Sequence, residues 1–114
     1  MSAVALKQRL RVDLRAAMQV RAADEVRLLR TLIAALDNAE AVSGVSDRYV
    51  PRAFGDPDCE VARRVLDDAA IDALLESEIE ARRAASADYE RHGEADEARR
   101  LRAEAERIAR YRAA

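Results

Sequence analysis

Apolar side chains recur at three- and four-residue steps along most of this 114-residue chain, with one long interruption. The strongest run is Asp67 to Gly93, where Ile71, Leu74, Leu75, Ile79, Ala85 and Tyr89 make one stripe on a helix. Leu66 and Asp67 supply a hydrophobic residue and then an N-cap acceptor, Asp68 adds negative charge to the first turn, and Gly93 suits the left-handed turn beyond the last residue. At about 1.5 Å per residue, this helix approaches ~40 Å and is expected to be the central rod of the fold.

Upstream, Ser2 caps a helix whose buried stripe is Leu6, Leu10, Leu14, Ala17 and Met18. Asp24 is the expected N-cap of a second helix carrying Val26, Leu28, Leu29, Leu32, Ile33 and Leu36 and ending near Ala41. No glycine or proline divides the two, and the stripe passes from Met18 through Arg21 and Glu25 to Leu28 in phase, so one bent helix is an alternative. A hairpin is preferred, because an isolated rod of that length would expose its stripe. Downstream, Ala98, Leu101, Ala105, Ile108 and Tyr111 line a fourth helix. Its alanines bury little area, so it should be the least protected of the four.

Between the second helix and the rod the helical period stops, and both prolines and two of the three glycines fall there. Tyr49, Val50 and Phe54 are the side chains able to tuck onto the helices from this stretch. The fold class that follows is all-α: a small antiparallel bundle of about four helices in a single domain, 1–114. The helices are expected near 3–21, 24–41, 68–92 and 95–112, with a long irregular connection over 43–66.

One pair breaks the apolar pattern. Stepping 100° per residue from Ile71 puts Glu78 and Arg82 near the middle of the stripe, four residues apart with the acid first. Charges taken out of water cost several kcal/mol each, so the two are expected to satisfy one another and to reach a second helix. The primary reading is a structural ion pair whose aliphatic stems cover the stripe; the secondary one is a polar contact for a ligand or partner.

Composition narrows the chemistry. Arginine far outnumbers lysine, Lys7 being the one lysine, as in the codon bias of a GC-rich genome; the position of an arginine is therefore more informative than the count. The formal net charge of -2 argues against coating nucleic acid by bulk charge, although residues 1–36 hold seven basic side chains against three acidic ones. Cys59 is the sole cysteine, and neither a leader nor a long apolar run is present, which together suggest a reducing cytoplasm and no membrane. Asp47, Asp56, Asp58 and Cys59 lack the spacing of metal ligands, and no glycine-rich phosphate loop or nucleophile-and-base arrangement is visible. No cofactor or metal is expected, and His92 reads as a helix-terminal cap.

Three segments carry a family resemblance: LRTLIAALDNAE at Leu29 to Glu40, EIEARRAASADYERHG at Glu78 to Gly93, and the run from Ala103 and Glu104 to Tyr111. In their order and helical context they resemble the GatB/YqeY domain family, specifically its stand-alone YqeY-like members. Departures are Glu25 in place of a basic residue, Ala105 and Arg107 in place of larger aliphatics, a longer connection, and an end at Ala114 where longer members continue into a further helical subdomain. The resemblance implies an all-helical module related to the tail of the transfer-RNA-dependent amidotransferase. The resemblance implies, too, that such a module contacts RNA and does no catalysis.

The expected function is accordingly a non-catalytic module that contacts transfer RNA or a protein of the aminoacylation pathway. Its candidate contacts are Lys7, Arg11, Arg15, Arg27, Arg30, Arg83 and Arg91. A protein-interaction or structural module is the alternative. A carbon–nitrogen ligase using glutamine as amido donor comes last, since amide transfer requires a nucleophile and an acyl-activating phosphate site.

Overall fold

The computed structural model describes residues 1–44 and 65–113, and nearly all of these are helical, with no strand among them. The helices are α1 (Ala3–Gln19), α2 (Ala23–Gly44), α3 (Asp68–Arg91) and α4 (Ala95–Ala113). The all-α bundle anticipated from the periodicity is therefore present. Expectations for the long connection, including Tyr49, Val50 and Phe54, fall on residues outside those described.

Two of the three expected N-caps form. The Ser2 hydroxyl accepts from the Ala5 N–H at 3.1 Å and the Asp67 carboxylate from the Ala70 N–H at 2.8 Å, each satisfying a donor at a helix start. Leu66, just before Asp67, is buried together with Ile71, which fixes the entry of the chain into α3.

α1 and α2 are separate, because α1 stops at Gln19 and Arg21 takes the left-handed conformation at φ 57°. The Arg21 N–H bonds to the Met18 carbonyl at 3.2 Å, and the Ala22 N–H to the Ala17 carbonyl at 3.0 Å. This is a Schellman turn. The α3–α4 turn repeats it with Gly93 at φ 76°: the Gly93 N–H reaches the Glu90 carbonyl at 3.1 Å and the Glu94 N–H the Tyr89 carbonyl at 2.8 Å. In each case the next residue, Ala22 or Glu94, gives its carbonyl to the first bond of the following helix. Asp24 is therefore not the N-cap of α2; it lies with Glu25 in the first turn, where negative charge complements the helix dipole. The likeness extends to sequence, since Ala-Asp-Glu-x-Arg-x-Leu-Arg occurs at 23–30 and again at 95–102.

Two antiparallel hairpins thus make the bundle, and their apolar faces meet in one core. Leu6, Leu10, Leu28, Leu29, Leu32, Leu36 and Ile108 are fully buried within it, with Ile71, Leu75 and Ile79 of α3 beside them. Two expected core residues lie outside. Met18 is 50% exposed and Tyr89 41%, because each falls in the last turn before a left-handed residue, where the helix leaves the neighbour it packs on. The α3 stripe closes on Ser86, with Ala85 half-buried at its margin. Ser86 is buried and its hydroxyl donates to the Ala98 carbonyl at 2.8 Å, a close approach that small residues on both helices permit.

Polar contacts tie one hairpin to the other. The Tyr111 hydroxyl donates to the Asp13 carboxylate while the Arg9 guanidinium lies 5.1 Å over the Tyr111 ring, and Arg107 of α4 pairs with Glu25 of α2.

Candidate nucleic-acid interface

The seven candidate contacts separate into three groups by what their cations touch. Lys7 belongs to the interior: its ammonium binds Asp37 at 3.3 Å and Glu40 at 2.9 Å on α2, its side chain is 12% exposed, and Glu40 is itself buried. It joins α1 to α2 and presents no free charge to a phosphate, so it leaves the contact set. The periodicity placed Lys7 beside the apolar stripe; the two carboxylates it meets come from another helix, which no local pattern reveals.

Arg83 and Arg91 are exposed on α3 as expected, but each has an acid one turn back, Glu80 and Asp88 respectively. Most of the second hairpin's other arginines are also paired, on their own helix or across to the other, Arg110 being without an ion-pair partner among the described residues. Arg99 pairs with Asp96, Arg100 with Glu97 and Glu104, Arg102 with Glu90, and Arg112 with Asp72 and Glu76.

The first hairpin differs. Arg11, Arg15 and Arg30 are exposed and have no ion-pair partner among the described residues, and the same holds for Arg21 in the turn. Arg27 has only a long contact of 3.9 Å with Asp24, both side chains being well exposed. On α1, residues 4, 8, 11, 12, 15 and 19 share the face opposite the core: two valines, two glutamines and two arginines, with no acid.

Glu78 and Arg82 meet as their spacing predicts, at 2.7 Å, and Arg82 also donates to the Glu78 carbonyl at 3.1 Å. The pair reaches α4 through Glu104, whose carboxylate lies 3.9 Å from the Arg82 Nε and 3.3 Å from Arg100. The first of these is too long for a hydrogen bond, which leaves the buried Arg82 Nε without an acceptor. At the other end of the chain of charges, the hydrogen bond from Arg100 holds the Glu97 carboxyl below its usual range and raises the guanidinium in turn. Burial, then the Asp13 carboxylate, pushes the Tyr111 hydroxyl well above the usual tyrosine range. These groups consume one another's hydrogen-bonding capacity and serve as interhelical ties.

Two clefts follow from this layout. The one between α2 and α4, about 430 Å³, has Leu28 and Ala103 at its base, and its arginines 99, 100 and 107 are each already paired with carboxylates. The other lies along the α1–α2 turn, where Arg21, Arg27 and Arg30 border Met18 and Val26. Arg21 is absent from the sequence-based contact set, which places it at the end of the first helix, in phase with the apolar stripe. The recurrence of the octad at 23–30 and 95–102 was the available signal, since it aligns Arg21 with Gly93.

His92 caps α3, its Nδ1 2.7 Å from the Asp88 carbonyl. Among the described residues no group of His, Cys, Asp or Glu is arranged to hold a metal ion, and no helix is long and apolar enough to cross a membrane. Comparison with known protein families, with curated proteins and with solved structures gives no match.

Proposed function

We propose that the chain is a non-catalytic helical module that binds RNA, with transfer RNA the first candidate, through the arginine-bearing surface of the α1–α2 hairpin. The observation that carries this reading is the division of the arginines. Arg11, Arg15, Arg21 and Arg30 are exposed with no ion-pair partner among the described residues, while nearly every arginine of the second hairpin faces a carboxylate. A guanidinium already paired gains little by exchanging one anion for another, whereas a free one adds a phosphate contact and releases a counterion. The segments resembling the GatB/YqeY domain family favour transfer RNA among RNAs, and an aminoacylation-pathway protein is the partner of next resort.

The direct test is titration with deacylated and aminoacylated transfer RNA at two salt concentrations. Binding that weakens as salt rises, and that exceeds binding to heparin at equal charge, supports the reading. No binding at low salt, or equal binding to any polyanion, contradicts it.

A second reading is favoured by a different observation. Val4 and Val12 are 74% and 57% exposed on the same α1 face as Arg11 and Arg15, and α3 has no buried residue beyond Ser86. An apolar and basic helix face of that kind also suits a protein partner. Light scattering over a range of concentrations distinguishes self-association from this first reading, which requires none.

A further inference from the structure

The two interhelical turns of this protein pose a simple comparison. They have the same hydrogen-bond pattern and a left-handed residue at the same position, and a matching octad of sequence follows each. The α3–α4 turn fills the left-handed position with glycine, the residue for which that conformation carries no steric cost. The α1–α2 turn fills it with Arg21 at φ 57°, where a Cβ crowds the backbone carbonyl. Nothing in the fold requires a side chain there, since Arg21 is exposed and has no partner among the described residues. A strained residue kept where glycine would serve points to a use for its side chain.

Its surroundings supply one. Arg21 borders a shallow, open groove of about 620 Å³. Arg27 and Arg30 stand on the α2 side of the groove, Met18 and Val26 provide its apolar surface, and none of the residues lining it is acidic. Met18 is half exposed because the turn lifts it off the core, so the groove has an uncovered apolar floor between cations. Of the three arginines, Arg27 alone has an ion-pair partner among the described residues, Asp24 at 3.9 Å.

We infer that this groove seats one nucleotide of a single-stranded RNA segment, with the phosphate held among Arg21, Arg27 and Arg30 and the base laid against Met18 and Val26. Planar, fork-shaped guanidinium donors match phosphate oxygens, and the apolar floor accepts the face of any base. No carboxylate lines the groove, so an anion entering it meets cations on its walls, with Asp24 behind Arg27 at 3.9 Å. The inference rests on the RNA-binding reading and names a site for it, with Arg21 as the residue that ties the strand to the turn.

The test is Arg21→Gly in the full chain, measured by anisotropy with a labelled single-stranded RNA tetranucleotide and, in parallel, with intact transfer RNA. The variant should melt at a higher temperature than the parent, because the strain is relieved, and yet bind the tetranucleotide about tenfold more weakly, the loss of one charge-assisted contact. Arg21→Lys should recover part of the affinity, Arg91→Ala should leave it unchanged, and an abasic tetranucleotide should bind the parent more weakly than the complete one. If Arg21→Gly binds the tetranucleotide as well as the parent does, the groove assignment is overturned. It is equally overturned if the parent binds transfer RNA but not the tetranucleotide, or if a phosphopeptide of matched charge competes as well as RNA; in the first of these cases the RNA-binding reading survives. Failure of the parent to bind either RNA removes both.

Discussion

At the residue scale, the two polar ties inside the bundle behave unlike the charges that cover it. Arg82 and Lys7 are each nearly enclosed and each holds an acid with no other cation beside it among the described residues: Glu78 for one, Glu40 for the other. Arg82→Ala and Lys7→Ala are expected to destabilise by about 2 to 4 kcal/mol in chemical denaturation. Arg99→Ala, on a solvated pair with Asp96, should change stability by no more than about 0.5 kcal/mol. Equal small effects at all three would remove the distinction. Lys7→Ala should also leave RNA affinity unchanged, since its ammonium is spent within the bundle.

Tyr111 gives a pH dependence whose sign is determined by its environment. Burial and Asp13 both favour the neutral hydroxyl and so raise its pKa above that of the unfolded chain, about 10. The stabilisation is therefore complete below pH ~10 and is lost as pH rises through the higher folded-state value. Unfolding followed from neutral to alkaline pH should show a fall that begins near pH 10 and is much reduced in Tyr111→Phe. Residue-scale legibility was uneven for a physical reason. The helical period brought Glu78 and Arg82 together because both lie on one helix, whereas the carboxylates of Lys7 are on another, and periodicity says nothing about which helix faces which.

At the scale of elements, four helices could be read from spacing, and the caps of the first and third from N-cap chemistry; the observed ends lie within a few residues of those expected. What was missed lies at the two turns. Met18 and Tyr89 were assigned to the core because a stripe extrapolates past the point where the backbone turns left-handed, and Ser86 was overlooked because its burial depends on how closely α4 approaches. Glycine announced one of the two turns; arginine concealed the other. The shared geometry gives a paired prediction: Arg21→Gly should stabilise by about 1 kcal/mol, and Gly93→Ala should destabilise by a similar amount even though nothing lies within 4 Å of the added Cβ. Thermal melts of both variants check it. The same sign for both would mean that the turns are not equivalent.

At the scale of the whole molecule, net charge is a poor guide. A formal charge of -2 conceals one hairpin in which most arginines are paired with carboxylates and another in which Arg11, Arg15, Arg21 and Arg30 have no ion-pair partner among the described residues. The sequence showed that basic residues concentrate in 1–36 and that the arginines of the last helix alternate with acids, as in the one-turn pairs Arg99–Asp96 and Arg100–Glu97; it did not show Arg102–Glu90 or Arg112–Asp72, which form only after α3 and α4 are brought together. Function in this account is a property of that asymmetry.

The most direct measurement is the slope of transfer RNA affinity against salt for the parent chain, for Arg11→Ala/Arg15→Ala/Arg30→Ala, and for Arg83→Ala/Arg91→Ala/Arg99→Ala. Each phosphate contact contributes roughly 0.7 to 0.9 to the log–log slope. The account predicts that the first triple variant loses about 2 to 3 units of slope, as expected for up to three phosphate contacts, and that the second keeps the slope of the parent. Equal slopes for both triple variants, or a loss confined to the second, would contradict it.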